Sequence, residues 1–151
     1  MAAVAQTIHW TTCIDFGTAA SKASVCAPPR LGASPADLVH PLRIGSICGE
    51  PNPYVAQSAL LFDRGRIYFG WNALQRAGEA DVEADILHSF KTFLAAADLK
   101  EALRLRLKRT IDRSGAFCQR DALILYVAYL LHLSERAALD ERRAALIRLG
   151  E

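Results

Sequence analysis

Cys13-Ile14-Asp15-Phe16-Gly17-Thr18-Ala19-Ala20-Ser21-Lys22 is the stretch on which the reading of this chain turns. The residues from Thr7 to Asp15 are β-branched and apolar, and they break at Gly17. A second apolar run, Ala23 to Ala27, follows and stops at Pro28-Pro29. Two short runs joined through Gly-Thr predict a β-hairpin. A strand that ends in an aspartate and a glycine turn has a chemical use. Glycine lets backbone N–H groups approach a phosphate closely, and the hydroxyls of Thr18 and Ser21 add donors. Asp15 is a hard carboxylate suited to Mg²⁺. The same residues also serve a plain hairpin in which aspartate and glycine only shape the turn. The short motif does not separate these two readings.

Working outward, 28–41 is punctuated by Pro, Gly and Ser and reads as loop. Leu42 to Cys48 reads as a third strand, ahead of the Gly49-Glu50-Pro51-Asn52-Pro53 turn cluster. Tyr54 to Phe62 and Ile67 to Trp71, joined through Asp63-Arg64-Gly65-Arg66, predict a second hairpin. Asn72 to Gly78 reads as a short helix with Asn72 as N-cap and Gly78 past its end. Val82, Ile86, Leu87, Phe90, Phe93 and Leu94 fall on one face at helical spacing and predict a helix. Asp98 to Arg113 carries both a helical stripe and the strand-like Leu103-Arg104-Leu105-Arg106-Leu107 alternation, with helix preferred. A long helix is expected from about Gln119 to Ala138 and another from Asp140 to Leu149. Strands fill the first half and helices the second.

Composition sets the outer bounds. The 151 residues suffice for one domain with a core. A net charge of +2 does not argue for nucleic acid or an anionic membrane surface. The longest uncharged apolar run, Ala122 to Leu133, falls short of the ~20 residues a bilayer core requires and reads as a buried helix. Cys13, Cys26, Cys48 and Cys118 form no CxxC pair, so they read as reduced, mostly buried residues of a cytoplasmic protein. His9, His40, His88 and His132 are scattered, without a nucleophile beside them. Asp81, Glu83 and Asp85 suit a helix start.

The Ile14-Asp15-Phe16-Gly17-Thr18 segment resembles the first phosphate motif of the seventy-kilodalton heat-shock chaperones and their actin-like ATPase relatives. Further segments follow in that family's order. Pro53-Tyr54-Val55-Ala56 with Ser58 to Phe62 is similar to its Pro-Ser-x-Val-x-Phe strand, and Gly70-Trp71-Asn72-Ala73-Leu74 to its Gly-x-x-Ala helix start. Ser89 to Leu94 resembles its Lys-Arg helix, and Arg120 to Ala138 the helix leading into the second half of the first lobe. Only the first motif is specific.

The resemblance implies an α/β fold, the ribonuclease-H-like lobe of actin-type ATPases, with a mixed sheet followed by helices. It implies an ATP-binding, chaperone-like function in which residues 1–151 form the N-terminal part of the ATPase domain, with no second domain. It assigns Asp15 to the metal and Asp15, Gly17, Thr18 and Ala19 to the nucleotide phosphates. The cofactors would be ATP and Mg. Partners would be the remaining half of the ATPase domain and client or co-chaperone proteins, with no nucleic acid and no membrane. Two departures limit it. Leu74 stands where the family places a lysine beside the γ-phosphate and hydrolytic water; Lys91 reads as a surface or structural lysine in preference to a substitute, because nothing in the sequence directs it toward the turn. The second phosphate turn and the Gly-Gly adenosine motif do not occur here, so no catalytic residue is assigned. A non-catalytic lobe acting through protein contacts is the alternative function, and an unrelated α/β domain with a chance turn the plainest one.

Overall fold

In the computed structural model, residues 10–27, 32, 34–79 and 81–149 are described. The first hairpin forms as the residues predict, the expected start of its first strand at 7–9 lying outside the described residues. Strands β1 (Thr11–Asp15) and β2 (Ala20–Cys26) pair antiparallel, with Asp15 opposite Lys22 and Thr11 opposite Cys26. Helix α1 (Pro35–Leu38) and strand β3 (Val39–Pro41) occupy part of the segment expected to be loop. Strand β3 pairs with the far end of β2. Helix α2 (Ile44–Ile47) stands where a third strand was expected. Gly45 explains the difference. Its N–H donates to the Pro53 carbonyl at 2.9 Å, and a Cβ there would sit 2.2 Å from the Asn52 carbonyl oxygen. The chain coils at this point because its backbone packs directly on the 52–55 turn.

Strand β4 (Ala56–Gln57) pairs with the start of β2, so β2 holds β3 and β4 along the same edge. The second hairpin is β5 (Ala59–Asp63) with β6 (Arg66–Phe69), and β7 (Leu87–His88) flanks β5 on its other side. Every ladder among the described residues is antiparallel, in two small sheets. Helix α3 (Gly70–Ala77) starts two residues before Asn72, with Phe69 at its N-cap.

The helix expected over 82–94 does not form. Val82 and Ile86 pack beside Ala59, Leu61 and Ala73, while Phe90 and Phe93 join the main core. Those side chains go to two different clusters, so the chain runs extended through β7. It then turns at Ser89 (φ 55°) into a 3₁₀ segment, Phe90–Ala95. Helix α4 (Leu99–Arg104) is capped by Asp98, whose carboxylate accepts from the Glu101 N–H at 2.9 Å. After α4 the strand-like alternation prevails, and Arg106 bridges Cys118. A single helix, α5 (Gln119–Leu149), replaces the two expected at the end.

The main core joins Ala23 and Val25 of β2, Leu60 and Phe62 of β5, Leu42, Ile44 and Phe90 to Ala122, Tyr126, Leu130 and Leu133 of α5. The architecture is therefore α/β, antiparallel sheets followed by helices. Helix α5 is not buried all round. Ile124 and Leu131 are 58% and 55% exposed, and Val127 and Leu139 are exposed beside them. By length and composition alone, Gln119–Glu141 would suffice to cross a bilayer. Its other face, Ala122, Tyr126, Leu130, Leu133 and Ala137, is committed to the core.

Candidate functional site

The turn Phe16–Ala19 projects from the end of the first hairpin. Asp15, Thr18 and Ala19 are exposed, while Gly17 and Phe16 are half-buried. The hairpin itself demands Gly17, because a Cβ there would meet the Ala20 carbonyl oxygen at 1.9 Å. So Gly17 serves the closeness of the turn's own strands whether or not a ligand approaches.

The inner side of the turn is fastened by buried polar groups. The Ser58 hydroxyl donates to the Gly17 carbonyl at 3.0 Å, and the Ser58 N–H donates to the Ala19 carbonyl at 2.9 Å. Beneath them lies the Tyr126 hydroxyl of α5, fully buried. It is 3.1 Å from the Gln57 carbonyl, 3.2 Å from the Ala56 carbonyl, 3.3 Å from the Ser58 hydroxyl and 3.4 Å from that of Ser21. Burial pushes the Tyr126 phenol up, despite its hydrogen bonds with Ser21 and Ser58 that pull it down. Phe16 packs against Tyr126 and Phe90, with ring centroids 5.7 and 6.2 Å apart. A phosphate-facing role for the Ser21 hydroxyl is overturned, since Ser21 is 0% exposed and turned toward Tyr126.

The outer side is polar and open. On the exposed face of the hairpin Asp15 stands opposite Lys22, an opposite-charge cross-strand pair that structure alone accounts for. Asp15 has the right chemistry for Mg²⁺. No group of three His, Cys, Asp or Glu residues suited to a metal occurs among the described residues. Mg²⁺ is commonly held through one or two carboxylates with phosphate oxygens and water completing its shell. A single exposed carboxylate beside a glycine turn fits that kind of site and does not fit a protein-built cage.

The other sequence candidates are dispersed. Leu74 packs with Ala59, Leu61 and Ala73, an apolar position in which a lysine would bury its stem and strand its charge. Lys91 is exposed and follows Phe90, the residue stacked on Phe16. The cysteines are not the buried residues expected: Cys13 is exposed and the other three are half-buried. Cys48 alone has the helical surroundings of a packed thiol, 3.5 Å from the Ile44 carbonyl.

Glu50 was missed by the sequence reading, which saw only a turn cluster around it. It is 7% exposed, and its Oε1 accepts from the Gln57 N–H at 2.7 Å and the Trp71 N–H at 3.1 Å. It thus ties β4 to the first turn of α3, where no local side chain caps the helix. Its Oε2 and the neighbouring Tyr129 hydroxyl are buried without a hydrogen-bond partner. Gly70 leaves room for both; a Cβ there would lie 3.0 Å from the Tyr129 hydroxyl and 3.2 Å from Glu50 Oε1. Burial raises the Glu50 carboxyl above its ordinary range, against the two N–H donors that lower it. Nothing in the local sequence advertises this role, because both donors come from later segments.

A cleft of about 470 Å³ lies elsewhere, between the β5–β6 turn and the 112–117 loop. Its charges are largely matched: Arg64 pairs with Asp81 at 2.9 Å and Arg113 with Glu83. Asp112 in its wall is pushed up by burial, but the Ser114 hydroxyl and the Phe117 and Ser114 N–H groups outweigh this and hold it below its usual value. The cleft shares no residue with the turn.

Set against known family models, curated proteins and solved structures, the chain matches none of them.

Proposed function

We propose that this chain is the N-terminal part of a chaperone-like ATP-binding protein with an actin-type, ribonuclease-H-like lobe, and that it contributes the first phosphate- and Mg-binding turn. The observation that carries this reading is the two-sidedness of the turn. Its inner carbonyls are tied down by Ser58, while Asp15, Thr18 and Ala19 remain exposed on a backbone that Gly17 keeps tight. A turn held in place from behind and open in front is preorganised to receive an anion without reordering. Bound Mg-nucleotide would bring charge that Asp15 could offset through the metal; Gly17, Thr18 and Ala19 would line the phosphates. The chain's own residues do no more than bind and orient. Leu74 supplies no cation, so hydrolysis would depend on groups from the rest of the ATPase domain.

The exposed stripe Ile124, Val127, Leu131 and Leu139 favours a second reading, in which the lobe acts as a non-catalytic interaction module. Nucleotide binding separates the two. In the longest native polypeptide carrying this sequence, Asp15→Asn should lower Mg-ATP affinity by roughly tenfold or more by titration calorimetry. Wild-type protein that takes up no Mg-ATP, or a variant with unchanged affinity, would overturn the ATP-binding reading in favour of the interaction module.

A further inference from the structure

The exposed face of the first hairpin carries a feature that a nucleotide site does not use. Along β1 and β2, Thr11 faces Cys26 and Cys13 faces Ser24, so Cys13 and Cys26 are diagonal neighbours on one face. They lie next to one another at the open end of the hairpin. Cys13 is exposed and Cys26 is half-buried. Their proximity is felt chemically: burial, then the neighbouring Cys13 thiol, raises the Cys26 thiol above its ordinary value. Cys48 is turned into α2, and Cys118 sits at the Arg106 bridge, so neither competes for this pair. No third ligand joins the two thiols among the described residues, which argues against a caged metal ion.

We propose that Cys13 and Cys26 form a reversible disulfide across this hairpin, making the outer edge of the sheet a thiol–disulfide switch. Cys13, the more accessible, is the first to react. Its thiolate attacks one oxygen of a peroxide; the O–O bond breaks, hydroxide leaves and Cys13 becomes a sulfenic acid. The Cys26 thiolate then attacks the Cys13 sulfur, the S–S bond forms, the S–O bond breaks and the oxygen departs as water. Two thiols are oxidised and one peroxide is reduced to two waters, with the thiol protons taken up by the departing oxygens. A dithiol reverses the bond by exchange.

The geometry also says what kind of disulfide this is. Diagonal Cα atoms across an antiparallel pair lie about 7–8 Å apart, whereas bridged cysteines have Cα separations of roughly 4.4–6.8 Å. Paired strands are already at contact spacing, so closing the bond requires β1 to slide along β2. β1 is the edge strand of its sheet, so the slide disturbs its ladder with β2 and no other. A bond that strains the ladder is readily reduced, as a switch requires and a permanent staple does not.

The test is peroxide treatment of the full-length protein, followed by alkylation, digestion and mass mapping of the cross-linked peptides. The expected product is one intramolecular Cys13–Cys26 bond, reversed by a dithiol, absent from Cys13→Ser and Cys26→Ser, and retained in a Cys48→Ser, Cys118→Ser double variant. Free alkylation of both thiols after oxidation, pairing of either with Cys48, Cys118 or a second molecule, or overoxidation of Cys13 to sulfinic acid would overturn the proposal. Should a serine variant fold poorly, the wild-type peptide map alone decides the outcome. None of these results depends on whether nucleotide binds.

Discussion

Strands β1 and β5 each have five residues, and each pairs with an antiparallel neighbour through a tight turn, yet they live in different surroundings. In β5, Ala59, Leu60, Leu61 and Phe62 are all buried; in β1 no residue is. Alternate β5 side chains enter two cores, Leu60 and Phe62 the main one and Ala59 and Leu61 the smaller cluster beside α3. β1 gives only Ile14 to the core and shows Thr11, Thr12, Cys13 and Asp15 to solvent. β5 carries stability, and β1 carries accessible chemistry on a frame that other segments hold.

The sharpest way to break that contrast is a matched pair of truncations followed by chemical denaturation. Leu60→Ala should cost about 2–5 kcal/mol through lost burial and the cavity left behind. Thr12→Ala on β1 should stay within about 0.5 kcal/mol. Equal losses would mean that β1 is far more deeply packed than its exposure indicates.

Ser58→Ala tests whether the exposed turn is held from behind. Loss of the hydroxyl that serves the Gly17 carbonyl should cost about 1 kcal/mol, with faster amide exchange confined to the turn. Unchanged exchange at residues 16–19 would show the turn to be rigid without its anchor.

The smallest effect expected is also the most specific. The Glu50 carboxyl is raised in the fold by burial, so the folded state favours its protonated form. Its favourable contribution is complete below the ordinary carboxylate range and is lost as pH rises through the folded value. Glu50→Gln keeps an oxygen for the Gln57 and Trp71 N–H groups and carries no charge to bury. The variant should melt higher than the parent at neutral pH, the difference closing as pH falls. A lower melting temperature at neutral pH would mean that the carboxylate charge helps the start of α3 more than burial penalises it.

The contrast between the strands was partly readable in the residues themselves. The uninterrupted Ala59-Leu60-Leu61-Phe62 run and the Gly65 turn expose a buried hairpin; β1 and β2 were equally plain, as was the start of the long C-terminal helix, though not its continuation past Ala138. Two of the failures share one cause, which is that distant partners decided the local conformation. Gly45 coils because the 52–55 turn presses on it, and the 82–94 stripe splits because its apolar side chains feed two clusters. The site followed the same rule. Asp15, Gly17, Thr18 and Ala19 were legible as a turn, but the anchors Ser58 and Tyr126 and the tie at Glu50 belong to contacts that no local pattern encodes. Asp98 was an exception, since its spacing to Glu101 is a helix-start signature that could have fixed the beginning of α4.

The Tyr126 hydroxyl, set under the turn by a residue 105 positions beyond Ser21, has a bearing on how the molecule is made. During synthesis the chain emerges from its N-terminus, and local hairpins can close within microseconds. The first hairpin can therefore pair early, but the polar layer beneath it stays open until the first turns of α5, through Tyr126, have left the ribosome. The turn is thus locked long after its hairpin can pair, and Ser21 and Ser58 remain within reach of water until then.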